Sequence, residues 1–135
     1  MKYVWIGVLI MVAGIVGDAF VFFGQADGDA DTMSIFSWVI LLGGIFSLWA
    51  SLRMRRNRGT MPAIFVYLMA ICAASLIIGW IWDGVFYHWL GLDESLQFLA
   101  HGFYDLGSIL LLLLAIVGSI VQLFRRKSGQ STFTR

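Results

Sequence analysis

Apolar residues fill four long stretches of this chain, and polar residues gather in the gaps between them. The stretches cover about 3–24, 33–52, 62–83 and 98–124, each long enough to cross a hydrocarbon core of roughly 30 Å as a helix. Gly43 with Ser47, and Ala70 with Ala74, are small-xxx-small pairs that let a second helix come close. Met61-Pro62 opens the third stretch, where the missing N–H of proline leaves no helical bond unmade. Asp93-Glu94-Ser95 stands where it can cap the fourth, since acids favour helix N-termini. The pattern predicts an all-α integral membrane protein, a four-helix bundle in one domain, with a polar tail from Ser128 to Arg135.

Composition agrees. Hydrophobic residues make up 60% of the 135 and charged ones 13%, about half the usual charged share of a soluble domain. The single cysteine, Cys72, lies inside an apolar run and reads as a small buried residue. Charge changes the picture more. The basic residues are Lys2, then Arg53, Arg55, Arg56 and Arg58, then Arg125, Arg126, Lys127 and Arg135. The acids are Asp18, Asp27, Asp29, Asp31, Asp83, Asp93, Glu94 and Asp105. Basic clusters thus mark one end of every span. This is the positive-inside pattern, which puts both termini in the cytoplasm of a multi-pass protein of the cell (inner) membrane. Nothing resembles a groove-reading motif, so no nucleic acid is expected as a partner.

Two local features have rival readings. Lys2, an apolar run and Gly24-Gln25-Ala26 also fit a cleaved leader, but Asp18 interrupts the run and aromatic residues follow it, so a retained first span is expected. Asp27-Gly28-Asp29-Ala30-Asp31 alternates as in a calcium loop, yet Phe36 and Trp38 stand where the Gly and Glu of such a loop belong. There is also an internal echo. Asp18-Ala-Phe-Val-Phe-Phe-Gly parallels Asp83-Gly-Val-Phe-Tyr-His-Trp, each near the acidic end of an odd-numbered span. Two parallel helical hairpins related by an axis along the membrane normal would follow, with Asp18 and Asp83 in equivalent places.

The candidate chemistry gathers where the third span ends and the fourth begins. Trp80, Trp82, Tyr87 and Trp89 read as an interfacial aromatic belt. Among them stand Asp83 and His88, followed by His101 and Asp105. His101 and Asp105 are four apart and share a helix face. Asp83 and His88 are five apart, about 140° off a common face of an α-helix, and converge only if the helix loosens between them. Two imidazoles with carboxylates suit a transition metal such as copper, zinc or iron, one carboxylate alternatively orienting a ring. Asp18, about two turns inside the first span, has to be protonated, hydrated or paired. The same acids could instead relay protons or cations. A purely structural reading, with wet interfacial side chains, also stands.

Asp83, His88 and, after twelve residues, His101 resemble the metal-ligating set of the third subunit of copper membrane monooxygenases, which oxidise methane or ammonia. The interval between the histidines matches; the first interval is longer by one, with Gly84 where that family has its Asp. Asp83-Gly84 with His88 is also similar to small bacterial membrane proteins carrying Asp-Gly-x3-His. The resemblance implies metal ligation by Asp83, His88 and His101, and no oxygenase activity in this chain alone. Nucleophile elbows, phosphate loops and CxxC motifs are absent from the sequence. The expectation is a membrane protein with a copper or zinc site of His88, His101, Asp83 and Asp105, supported by Asp18. It would serve as a metal-handling or accessory subunit in the lipid bilayer, in a homo-oligomer or a larger complex. Proton- or cation-coupled transport and a purely structural subunit are the alternatives.

Overall fold

A computed structural model gives the fold. The structure describes residues 1–24, 35–56, 61–90 and 97–130. Helix α1 (Lys2–Gly24), α2 (Ile35–Arg56), α3 (Ala63–Ile81) and α4 (Gln97–Gln130) follow one another, and a π-helical segment, π1 (Trp82–Trp89), extends α3. All four α-helices contain stretches long and apolar enough to cross a membrane. The protein is therefore an all-α, multi-pass membrane bundle. Two ends differ from the hydropathy boundaries. The third helix runs on to Trp89 as π1, and α4 continues through Arg125-Arg126-Lys127 to Gln130. Hydropathy registers where lipid ends, not where a helix must stop, and cations in a last turn complement the helix dipole. Pro62 caps α3 from outside, its carbonyl accepting from the amides of Phe65 and Val66 at 3.1 and 3.5 Å.

Lipid offers no hydrophobic push between helices, so close approach decides which faces pair. Gly14 of α1 meets the backbone of α2, where a Cβ would sit 2.8 Å from the Ile40 nitrogen and 2.9 Å from the Phe36 oxygen. Gly79 of α3 meets α4 in the same way, against the Tyr104 nitrogen and the Ala100 oxygen. The partners repeat the arrangement. Gly43 lies against the Met11 nitrogen and Gly7 oxygen, and Gly107 against the Leu76 nitrogen and Cys72 oxygen. A constant offset carries α1 onto α3, and another carries α2 onto α4. The first offset takes the buried face Val4, Gly7, Val8, Met11, Gly14 onto Met69, Cys72, Ala73, Leu76, Gly79. It also takes Asp18 onto Asp83. The expected pair of equivalent hairpins is thus present in the packing itself.

The two seams between the hairpins are unequal. Along one, α2 packs against α3, and Gly44 gives room to Leu76. Trp80 lies in this seam, 4% exposed, its ring edge-on to Trp38 at 4.6 Å between centroids. The belt reading was wrong for Trp80: at the end of α3 its ring turns inward because Trp38 supplies an apolar partner. Along the other seam, α1 and α4 touch little. They are tied at the basic end, where the Trp5 indole N–H donates to the Ser119 hydroxyl at 2.7 Å. Gly43 with Ser47 does serve close packing, with Gly7 fitting beneath Ser47. Ala70 and Ala74 do not share that role; they are half-buried, and α3 approaches α4 through Cys72, Leu76 and Gly79. Cys72 is a free, buried thiol, as its setting predicts.

A side chain at Gly79 must push backbone apart, and overpacking of this kind costs about 1–3 kcal/mol. Gly79→Val is expected to lose at least that much in denaturant unfolding in detergent micelles, and Gly14→Val a similar amount. Gly102 has open space where its Cβ would be. Gly102→Ala is expected to gain about 0.5–1 kcal/mol from helix propensity in the same measurement.

Candidate functional site

The end of α3 changes its winding where the chemistry begins. The Trp82 amide is shared between the carbonyls of Gly79 and Ile78. Beyond it the helix widens into π1, ending with the Leu90 amide on the Val85 carbonyl at 3.1 Å. Bonding to the fifth residue stacks positions five apart, so the backbone of residue 88 stands one turn above that of 83. This is the loosening that Asp83 and His88 require, and π segments recur at functional sites. The side chain of His88 lies outside the described residues.

Asp83 and His101 meet across the α3–α4 hairpin. His101 Nδ1 lies 3.5 Å from Asp83 Oδ1, with the two side chains 49% and 21% exposed. That oxygen is buried without a hydrogen-bond partner among the described residues, so the contact is a close approach of ring nitrogen and carboxylate rather than a well-made hydrogen bond. The Trp80 Nε1 is a second orphaned polar atom, one turn earlier on α3. Beside the pair, the Ser75 hydroxyl donates to the Phe103 carbonyl at 3.1 Å, tying α3 to α4.

Asp105 turns elsewhere. It joins Asp18 along an open-sided cavity of about 730 Å³ in the loosely packed seam between α1 and α4, with Asp105 and Ile109 exposed and Asp18 half-buried. Tyr104 and Ser108 also line this chamber, and the remaining wall is Ile15, Ala19, Ile40 and Ile109. The Ser108 hydroxyl donates back to the Tyr104 carbonyl at 2.8 Å. The Tyr104 phenol lies within electrostatic reach of Asp18, Asp105 and Asp83. The repeat accounts for the chamber. Ile15 occupies on α1 the place that Trp80 occupies on α3. The larger ring fills its seam, and the smaller side chain leaves the equivalent space open.

Of the expected metal set, Asp83 and His101 form the one close pair recorded among the described side chains. Among the described residues, no three His, Cys, Asp or Glu side chains gather where one ion would reach them. Asp105 and Asp18 line one cavity, and a three-ligand site would need His88. Sequence reasoning missed Tyr104 and Ser108. Their spacing carries a signal, since hydroxyls at Tyr104 and Ser108 fall on the helix face shared by His101, Asp105 and their neighbours. The acidic loop from Gln25 to Thr32 and the capping residues Asp93-Glu94-Ser95 lie outside the described residues.

Set beside family models, curated proteins and solved structures, the chain matches none of them.

Removing His101 takes away the ring nitrogen that faces the partly buried Asp83 carboxyl. For a pair this exposed, His101→Ala is expected to cost up to about 1 kcal/mol. Asp83→Asn in the same chain should recover most of that loss, giving a non-additive double-mutant cycle by thermal unfolding.

Proposed function

We propose that the protein holds an organic cation in the chamber between α1 and α4, in exchange with protons, as a transport component of the cell membrane. The observation that carries this reading is the chamber lining. Two carboxylates from different helices, a phenol and a hydroxyl face a space that is otherwise aliphatic. Two like charges in an apolar setting repel strongly, and a cation between them offsets that repulsion. Ionisable groups within membrane spans commonly mark ion or substrate pathways. Size favours a ligand with a body. The chamber, at about 730 Å³, lies in the range of sites for drug-sized ligands, far above the ~30 Å³ share of one water. Aliphatic walls suit the apolar part of an amphipathic amine or a quaternary ammonium, and the Tyr104 ring suits its charge. The positive-inside pattern puts this end of the bundle outside the cytoplasm.

A second reading has an observation of its own. The Asp83–His101 pair adjoins the π segment that carries His88, and a copper or zinc ion there would make the protein a metal-handling accessory subunit, alone or in an oligomer. This is the arrangement that the resemblance to the monooxygenase subunit implies. Metal that copurifies with the wild type and is lost from His88→Ala/His101→Ala, with Asp18→Asn retaining it, would favour this reading.

For the chamber, tetraphenylphosphonium binding in detergent is the direct assay. Wild type is expected to bind saturably. Asp18→Asn and Asp105→Asn are each expected to weaken binding about tenfold or more, as loss of a charge-assisted contact of ~1.5–3 kcal/mol requires. Ile15→Trp, which brings the filling residue of the other seam into this one, should abolish binding without unfolding the bundle. Binding unchanged in Asp18→Asn would overturn the reading.

A further inference from the structure

The basic end of the α1–α2 pair holds a second arrangement of charge. Arg53 of α2 places its guanidinium 5.5 Å from the Tyr3 ring centroid and 5.1 Å from that of Trp49. Lys2 of α1 places its ammonium 5.0 Å from the same Tyr3 ring. The rings are themselves packed edge-on, Tyr3 against Trp49 at 6.1 Å, with Phe46 behind Trp49 at 5.3 Å. Two cations from two helices are thus held over one aromatic pair, no farther from each other than their two distances to Tyr3 combined.

Cation–π attraction positions these charges but does not neutralise them. The sequence supplies no acidic side chain near them. Every Asp and Glu lies at or beyond Asp18 in the first hairpin and at or beyond Asp83 in the second, toward the opposite end of the spans. The sequence places its Asp and Glu residues away from these exposed cations, which leaves the pair open to an anion from the surrounding leaflet. Its approach is lateral. Tyr3 and Trp49 are 37% and 44% exposed, on flanks that face lipid, and one turn toward the membrane centre Ile6 and Ile45 are exposed in the same way. A headgroup phosphate over the rings would leave its acyl chains along those two side chains.

We infer that Lys2 and Arg53, held over Tyr3 and Trp49, bind the phosphate of an anionic phospholipid in the leaflet at the basic end of the bundle. Arg53 suits this ligand because a guanidinium offers a planar fork to phosphate oxygens. A zwitterionic lipid brings its own ammonium into the same space and is disfavoured. The leaflet is the anionic one by the positive-inside pattern. At the other seam Arg55 lies 4.8 Å from the Tyr67 ring centroid. No second cation is recorded over that ring among the described residues, which makes Arg55 a matched control for charge at the same depth.

Native mass spectrometry of the full chain, released from micelles containing equal phosphatidylglycerol and phosphatidylcholine, tests this. Wild type is expected to retain phosphatidylglycerol in preference. Arg53→Gln and Lys2→Gln are each expected to reduce that preference about fivefold, the contribution of one basic side chain near an anionic surface. Arg55→Gln should leave it nearly unchanged. Lys2 is exposed at a helix end, so its variant keeps the fold, with helical circular dichroism as the check. Equal loss in Arg55→Gln would reduce the effect to bulk charge and overturn the inference, as would no preference in the wild type. Displacement of the lipid by excess inorganic phosphate would assign the site to free anions and overturn the lipid assignment.

Discussion

Everything in this bundle rests on how closely its helix backbones approach. Apolar side chains gain little by leaving lipid for one another, so helices in a membrane associate through packing and hydrogen bonds. Here the packing is set where Gly14 meets α2 and Gly79 meets α4. Each contact brings backbone against backbone, and each is answered by Gly43 or Gly107 from the partner helix. The two hairpins are two solutions of one packing problem, related by constant offsets along the chain. The buried positions Val4, Gly7, Val8, Met11 and Gly14 of α1 recur in α3 as Met69, Cys72, Ala73, Leu76 and Gly79.

What distinguishes the hairpins is the filling of the seams between them. Trp80 and Trp38 occupy one seam, and Gly44 lets Leu76 settle into it. In the other, Ile15 stands where a tryptophan would be needed, and α1 and α4 stay joined at the basic end through Trp5 and Ser119. The open space coincides with Asp18, Asp105 and Tyr104. Carboxylates from two helices line this open space with aliphatic side chains around them. The arrangement makes sense if a ligand or proton completes it. Charge is divided along the bundle, with carboxylates near one end and cations held over aromatic rings at the other.

The sequence was most informative where a physical signal is one-dimensional. Hydropathy located the four helices, and the echo between Asp18 and Asp83 anticipated the hairpin repeat. Charge segregation separated the two ends. It was least informative where the outcome depends on which neighbour arrives. Trp80 looks like an interfacial anchor until Trp38 from α2 is brought against it. His101 and Asp105 share a helix face, but which carboxylates reach it depends on α1 and α3: Asp83 arrives beside His101, and Asp18 lines one space with Asp105. The need for a loosened helix between Asp83 and His88 was legible in their spacing; π1 itself was not, since nothing in hydropathy records a change from four-residue to five-residue bonding. Tyr104 was overlooked because a phenol in an apolar span carries no signal until Asp18 of α1 is brought onto the same cavity.

The central claim is that two equivalent hairpins meet through one filled seam and one open seam. Ala19 and Gly84 occupy equivalent places, Ala19 half-buried along the open seam and Gly84 buried. In a Cys72→Ser background, the reaction rates of Ala19→Cys and Gly84→Cys with a cationic methanethiosulfonate applied to the bundle in membranes compare the two places directly. We predict fast modification of Ala19→Cys and essentially none of Gly84→Cys. Equal rates at the two positions would contradict the account.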